Sequence, residues 1–577
     1  MFICKILENR NPLPLPTIEN YKSYSIYKSA IDFSYNPACG ILEIGQTEDY
    51  FSILLGNIFN INDLCEDVQN KEFLSPALKL IVLKQRHAKD LPSLLKGSFI
   101  FIIINKKDNS VFMAKSPLNK KQLFFSCKNS ILYLSTSVPL IKKSVPHIFD
   151  IKEERVIDLQ ARAAKISDKT FYNGIEQIEG GSTIEIHKCS DVLRRYYFST
   201  QERTENKSNL NYADGLNTAL NNAITRNIKP EDKILCEISG GLDSSSIAAR
   251  LAKNRKNLTC ISNYSTEASL IEIGTDPRKA NEIQLKDFES MYQNTKIIKI
   301  DERSISHGYQ DITRFCFENS SGPEYGITNV LWIYAFYMEA HRNGFTKIIN
   351  GLFGDDAYSY SHTGPSFKGI VSSAEPVFSK IIRGTIRQLK AERNVIFPYL
   401  REPIKKKIRK ESLLNSVRRN RSDRLQHANF SINSCTSIDT ALFNSLNIES
   451  VDILADHEII ECCLSIPESA FHHGVTNRYI TRIANKEILP ESIRSNFIKG
   501  AQSPRWHVQL RKELPYYFSL LQKFKKNDLI KKLIDLEQLE KCMAHFTIVP
   551  ENTIKNYSEM MWLPCTLHIC EWISLHD

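Results

Sequence analysis

Residues 234–250 read Ile234-Leu235-Cys236-Glu237-Ile238-Ser239-Gly240-Gly241-Leu242-Asp243-Ser244-Ser245-Ser246-Ile247-Ala248-Ala249-Arg250, and the reading of this stretch decides the fold. Ile234, Leu235 and Ile238 spell a short buried strand, Ser239 to Ser245 a tight polar turn, and Ile247 onward a helix with apolar positions at helical spacing. That order makes a concavity for an anion. Gly240 and Gly241 let the backbone take positive φ and come close to a ligand, while the hydroxyls of Ser239, Ser244 and Ser245 and the free N–H groups of the helix start converge. A Walker loop would put a lysine after the glycines, and none follows here. Asp243 instead places a carboxylate where phosphates would lie. That arrangement makes sense with a cation in between, so Mg²⁺ on Asp243 is expected. The bland alternative is a glycine-rich turn capped by serine.

The loop resembles the pyrophosphate-binding loop of the ATP pyrophosphatases that form acyl-adenylates. Within them it looks most like the asparagine synthetase branch, with its β-lactam synthetase and lasso peptide cyclase relatives. The resemblance implies ATP split into AMP and pyrophosphate, held by Ser239, Gly240, Gly241, Leu242, Asp243, Ser244 and Ser245.

At 577 residues the chain is too long for one core. Hydrophobic residues at 42% and charged residues at 24% fit a soluble globular protein, and no run of eighteen apolar residues occurs, so no membrane span is expected. Met1-Phe-Ile-Cys-Lys-Ile-Leu-Glu8 lacks the order of a signal peptide, and the expected location is cytoplasmic. Fourteen cysteines without a Cys-x-x-Cys pair indicate neither a zinc site nor a disulfide framework. The net charge of +10 leaves partners open, but no aromatic platform accompanies the basic residues, so nucleic acid is not expected.

Residues 1–199 read as short β-branched and aromatic strands, among them Phe51-Ser-Ile-Leu-Leu55, Phe99-Ile-Phe-Ile-Ile-Ile104, Val111-Phe-Met-Ala114 and Ile131-Leu-Tyr-Leu134, with one helix near Ser75–His87. Leu55-Gly-Asn-Ile-Phe-Asn60, Leu95-Lys-Gly-Ser-Phe99, Tyr133-Leu-Ser-Thr-Ser137, Thr170-Phe-Tyr-Asn-Gly174 and Gly180-Gly-Ser-Thr183 resemble the glutaminase half of asparagine synthetase, an N-terminal nucleophile sandwich. That chemistry needs a cysteine whose freed α-amine serves as base for its own thiol, and position 2 is Phe2. Cys4 is not freed by removal of Met1, and Cys39-Gly-Ile41 would require cleavage after Ala38. Leu55, where the family carries Asn, has no side-chain amide. A degenerate glutaminase is expected, retained as a scaffold.

Thr200–Asn209 is the expected linker, and residues 210–577 form the expected synthetase-like domain, a doubly wound parallel sheet. Leu258-Thr-Cys-Ile-Ser-Asn-Tyr264 is a second strand, and the resemblance places Ser262 at the adenosine. Asn281 and Glu282 stand where relatives carry Asp-Glu and are assigned no role. Lys347-Ile-Ile-Asn-Gly-Leu-Phe-Gly-Asp-Asp-Ala-Tyr358 repeats the logic of strand, glycine-broken turn and acids. By the resemblance Asn350 and Gly351 face the adenylate and Asp355 is the second Mg²⁺ carboxylate, across the nucleotide from Asp243. Leu352 stands where β-lactam synthetases carry a tyrosine, and Tyr358 or another group would replace that base. Residues 378–424 are strongly basic, read as a solvated helix face or as a groove for an acidic peptide segment. Ile448–Asp456 keeps the family's Glu449 and Asp456 and loses its Arg and Pro at Val451 and Ile453, so the acceptor pocket has diverged. In Phe497-Ile-Lys-Gly500 the resemblance makes Lys499 the catalytic lysine, a cation beside the acyl-adenylate.

The expectation is thus an AMP-forming, Mg²⁺-dependent amide ligase with Asp243, Asp355 and Lys499 at its centre. Lasso peptide cyclases look most similar, which implies ring closure between the N-terminal amine and an Asp or Glu side chain of a precursor peptide, in company with a leader peptidase. A ligase acting on a small metabolite, and a non-catalytic scaffold that retains nucleotide recognition, stay open.

Overall fold

The computed structural model describes residues 2–7, 22–26, 31–35, 42–68, 71–145, 149–160, 170–198, 207–324, 326–360, 398–415, 437–474, 476–548, 560 and 562–576. The N-terminal strands are β1 (Phe2–Leu7), β2 (Lys22–Ile26), β3 (Ile31–Tyr35), β4 (Leu42–Gln46), β5 (Tyr50–Ile58), β6 (Gly97–Asn105), β7 (Val111–Lys115), β8 (Phe124–Lys128), β9 (Ile131–Ser135), β10 (Glu176–Gln177), β11 (Ser182–Lys188) and β12 (Asp191–Tyr196). They form two six-stranded sheets, ordered β10-β8-β9-β1-β3-β2 and β12-β11-β7-β6-β5-β4. All their pairings are antiparallel.

The period-2 alternation of a strand explains how these sheets stack. On β6, Ile100, Ile102 and Ile104 share a core with Phe2, Phe33 and Leu134 of the other sheet. Phe99, Phe101 and Ile103 on the opposite face pack with Ala77, Leu80 and Leu83. Those three belong to the helix Pro76–His87, whose start is capped where Ser75 Oγ accepts from the Leu78 N–H. The apolar run at 99–104 is therefore continuous because both faces are covered.

The second domain is built on β13 (Ile234–Glu237), β14 (Leu258–Tyr264), β15 (Thr295–Asp301), β16 (Lys347–Asn350) and β17 (Glu449–Asp452). These make a parallel sheet of order β15-β14-β13-β16-β17. Leu235, Ile261 and Ile348 sink into one core, and Ile234, Cys236, Cys260 and Ile349 into another, so the sheet is buried on both faces. The first core also takes in Phe124, Tyr133 and Phe171 of the N-terminal domain. Trp572, on the C-terminal helix Leu563–Ser574, meets the rings of Phe171 and Tyr172 at centroid distances of 5.6 and 5.9 Å.

Charged side chains also cross the boundary. Lys121 Nζ lies 2.8 Å from Glu449 Oε1, and Lys120 Nζ lies 3.5 Å from Asp439 Oδ2. Lys120 is itself largely buried, and burial alone would lower its pKa. Asp439, Asp452 and Glu237 more than reverse this and keep it charged. Burial pushes Glu237 up to about 8, with Lys120 opposing and Asp439 and Asp452 adding to the rise.

Removing one partner of such a cluster strands the others. Lys120→Met is expected to destabilise the protein by about 3–5 kcal/mol, read from urea or thermal melts. A loss below about 1 kcal/mol would mean that water already compensates these acids.

Candidate functional site

The Ile234–Arg250 stretch folds as strand, turn and helix, with one difference from the sequence expectation. The helix runs Leu242–Asn254, so Asp243, Ser244 and Ser245 occupy its first turn rather than the loop before it. Gly240 has φ +76°, and a Cβ there would lie 2.9 Å from Gln284 Cβ, which accounts for glycine at this position. Ser239 and Ser244 converge: their hydroxyls are 2.9 Å apart, and Ser244 Oγ accepts from the Ser239 N–H at 3.0 Å. Ser239 Oγ also accepts from the Gly241 N–H at 3.3 Å. Ser245 does not join them. It faces the interior, fully buried, and its Oγ has no hydrogen-bond partner among the described residues. Leu242 likewise buries its side chain, leaving its backbone for the turn.

Asn281, assigned no role from sequence, staples this loop to the next strand end. Its Nδ2 donates to Ser239 O at 3.4 Å, to Ser262 Oγ at 3.3 Å and to Asn263 O at 2.9 Å, while its Oδ1 accepts from the Ser265 N–H at 2.9 Å. Ser262 is thereby placed beside the loop, but it is buried. An asparagine holding four partners by its amide gives no pattern in a single sequence, which is why it carries no assignment from sequence.

The second turn follows β16, the neighbour of β13, with Cys236 opposite Ile349. A short 3₁₀ turn spans Gly354–Asp356. A Cβ on Gly354 would overlap the Asp243 carboxylate, so the two turns touch at this point. Arg478 then bridges the acids. Its Nη1 is 3.7 Å from Asp243 Oδ2, and its Nη2 donates to Asp355 Oδ1. Lys499 Nζ, on an exposed segment, reaches Asp355 Oδ2 at 3.5 Å. The structure therefore brings Asp243, Asp355 and Lys499 together and adds Arg478.

Arg482 fixes the approach of the Lys499 segment. Its guanidinium donates to the carbonyls of Asn477, Arg494 and Asn496 and stacks over Phe497 at 4.1 Å. Burial, with Arg478 and Arg494 nearby, lowers its pKa to about 10, still well above neutral.

Other expected positions are placed differently. Asn350 donates to Ser450 Oγ at 2.9 Å and accepts from Lys120 Nζ at 3.5 Å, facing the domain boundary rather than the loop. Gly351 lies where a Cβ would meet Ile247 and Leu454 side chains, so its role is close packing. Tyr358 is fully buried and its hydroxyl accepts from Asn485 Nδ2 at 2.9 Å, which removes it as a base. Glu449 is tied to Lys121, and Asp456 caps the helix His457–Ser465 while pairing with Arg226 at 2.7 Å. Cys4 is sealed in the sandwich core, where burial drives its thiol pKa far up, so it is no nucleophile. Cys39 lies outside the described residues, as do 378–397 and 416–424 of the basic stretch; Lys405–Lys410 lies on the helix Glu402–Asn415.

Two carboxylates fit a Mg²⁺ ion that takes its remaining ligands from phosphate and water. Among the described residues no group of three or more metal-ligating side chains occurs, so a closed protein cage for a metal is not what the donor set offers. Among the described residues Asp243 Oδ1 is buried without a hydrogen-bond partner, the kind of orphaned oxygen a cation would satisfy. Burial pushes the Asp243 pKa up to about 6; Arg478 opposes this and Asp355 adds to it.

A carboxyl whose folded pKa exceeds its unfolded value stabilises the fold below the unfolded pKa and loses that contribution as pH rises through the folded one. Asp243→Asn is therefore expected to stabilise the nucleotide-free protein by about 1–3 kcal/mol at pH 8, with the gain closing to nothing near pH 4, in melts across pH. Gly354→Ala should displace the Asp243 carboxylate and weaken MgATP binding at least about 10-fold by calorimetry, since one misplaced ligand is worth an order of magnitude or more.

Comparison with known proteins gives two adjacent matches. A glutamine amidotransferase domain matches residues 44–197, and asparagine synthase matches residues 215–352. The chain is similar to asparagine synthetase [glutamine-hydrolyzing] 1 of Bacillus subtilis (strain 168), 22% identical over 208 residues that cover 35% of this chain and 33% of that protein. It is also similar to amidase chry2 of Gibberella zeae, 20% identical over 298 residues, covering 48% and 42%. The chain thus matches less than half the length of these relatives. Glutamine phosphoribosylpyrophosphate amidotransferase from B. subtilis, solved with ADP and GMP, aligns with 54% of this chain and 82% of its own at 10% identity and a TM-score of 0.22. Among the described residues no helix is long and apolar enough to cross a membrane. The chain thus carries a glutamine amidotransferase-type domain followed by an asparagine synthase-type domain.

Proposed function

We propose that the chain is an ATP-dependent amide ligase that closes a macrolactam ring on a ribosomal lasso-type peptide. The observation that carries this reading is the meeting of Asp243 and Asp355 at adjacent strand ends, with Arg478 and Lys499 on them. A substrate carboxylate oxygen attacks the α-phosphorus of ATP, the bond to pyrophosphate breaks, and an acyl-adenylate results. The amine nitrogen then attacks the acyl carbon, AMP departs, and the amine proton passes to solvent. Bound Mg²⁺ would draw charge off the departing pyrophosphate, with Asp243 and Asp355 as its protein ligands. Ser239, Ser244 and the backbone of Gly240 and Gly241 line the phosphate turn, and Lys499 stabilises the oxyanion and the leaving phosphate.

An amine from within the peptide, rather than ammonia from glutamine, is supported by the sealed Cys4 and by Leu55 in the segment where glutaminases carry Asn. In this reading the partners are a precursor peptide with a free N-terminal amine and an Asp or Glu acceptor, and a leader peptidase, all in the cytoplasm. A second reading, a ligase on a small metabolite, is favoured by a cavity of about 350 Å³ between the domains, bordered by Asn57, Phe59, Lys96, Lys121, Ser450 and Asp452.

ATP–pyrophosphate exchange and mass spectrometry of a candidate precursor peptide test the proposal together. Exchange with loss of one water from the peptide supports ring closure, exchange only with a small carboxylate supports the second reading, and no exchange with either class rejects the ligase. Lys499→Ala is expected to keep MgATP binding and to slow product formation by roughly 10²–10³-fold, whereas Asp355→Asn should abolish exchange.

A further inference from the structure

Arg478 is placed by an unusual backbone. It has φ +55° and ψ +31°, the left-handed region that side chains other than glycine, asparagine and aspartate seldom adopt. It sits between the short hairpin His472–His473/Thr476–Asn477 and the helix Tyr479–Ala484. The backbone on either side is tied down: Arg482 donates to the Asn477 carbonyl, and Thr481 Oγ1 donates to the Tyr358 carbonyl at 2.6 Å. The guanidinium itself touches the two carboxylates, 3.7 Å from Asp243 Oδ2 and hydrogen-bonded to Asp355 Oδ1. Among the described residues it has no other hydrogen-bond partner.

We infer that Arg478 is an internal counter-cation: it holds Asp243 and Asp355 together in the nucleotide-free protein, keeps free divalent metal out, and moves to the triphosphate when metal arrives bound to ATP. The inference rests on the nucleotide-site reading above. Gly354 lets the Asp243 carboxylate lie directly against the turn that carries Asp355, so two like charges face one cleft and a cation must sit between them. A planar guanidinium spans two acceptors, and its charge-assisted bonds are strong. Hydrated Mg²⁺ gives up its waters reluctantly, so the ion alone competes poorly for this position. MgATP changes the exchange, because the phosphate oxygens give the guanidinium a new bidentate partner as the metal takes the carboxylates. Every charge stays paired throughout. Lys499, more exposed and on one oxygen of Asp355, is placed for the later chemistry rather than for this exchange.

The test is electron paramagnetic resonance of Mn²⁺ with the full chain, with and without ATP. Wild type is expected to take up Mn²⁺ only with ATP. Arg478→Gln and Arg478→Ala should each bind Mn²⁺ alone at least about 10-fold more tightly than wild type and bind MnATP at least about 10-fold more weakly, while Arg478→Lys restores exclusion of the free ion. A purely structural role would weaken both kinds of binding. If wild type binds MnATP normally and neither neutral variant gains affinity for free Mn²⁺, the counter-cation inference is overturned. If wild type fails to bind MnATP at all, the nucleotide-site reading falls first.

Discussion

The whole site depends on β13 and β16 being parallel neighbours. Parallel pairing sends both chains off the same edge of the sheet, so the turns that follow leave side by side at the carboxyl ends of the strands, where open α/β sheets bind their ligands. With Cys236 opposite Ile349, Ile234, Cys236 and Ile349 share one core while Leu235 and Ile348 share the other. A slip of one residue would exchange these faces, so burial on both sides pins the register and with it the meeting of Gly354 and Asp243. Two acids from chain positions about a hundred residues apart then occupy one cleft, and Arg478 and Lys499 answer them.

The N-terminal domain takes part in this arrangement through charge. Lys120 and Lys121 lie between β7 and β8 and meet Asp439 and Glu449 of the other domain. Lys120 also keeps company with Asp452, whose two oxygens accept from the backbone N–H groups of Phe353 and Leu454. Phe353 directly precedes the turn that bears Asp355. The sandwich thus reaches the second acid turn through one largely buried carboxylate: without the lysines of the N-terminal domain the carboxyl edge of the sheet would hold these acids with too little cation.

Much of this was legible in the sequence, for different reasons in each case. The β-branched and aromatic run at Phe99–Ile104 marks a strand by local physics alone, and the helix expected near Ser75–His87 forms there as well. Asp243 stood out because a carboxylate inside a glycine- and serine-rich turn is chemically odd, and Asp355 only through the family resemblance; the structure brings the two turns together. Ser245 was misplaced because the helix begins at Leu242, and a few residues of helix register decide whether a hydroxyl faces the ligand or the core. Asn350 and Gly351 were misplaced because the domain boundary, invisible in one chain read linearly, claims the first for Lys120 and the packing of Ile247 and Leu454 claims the second. Arg478 was missed and Asn281 left without a role because their partners lie elsewhere in the chain, 123 residues away for Arg478 and 16 to 42 for Asn281, with no local pattern to announce them.

The cavity between the domains bears on how the two halves divide their labour. One wall includes Asn57, Phe59 and Gly97–Ser98 of the N-terminal domain, and the other is the Glu449–Leu464 region of the second domain. They face each other across one volume of about 350 Å³, far more than a molecule of ammonia needs, so the two halves meet across a space wide enough for a small molecule rather than through a narrow passage.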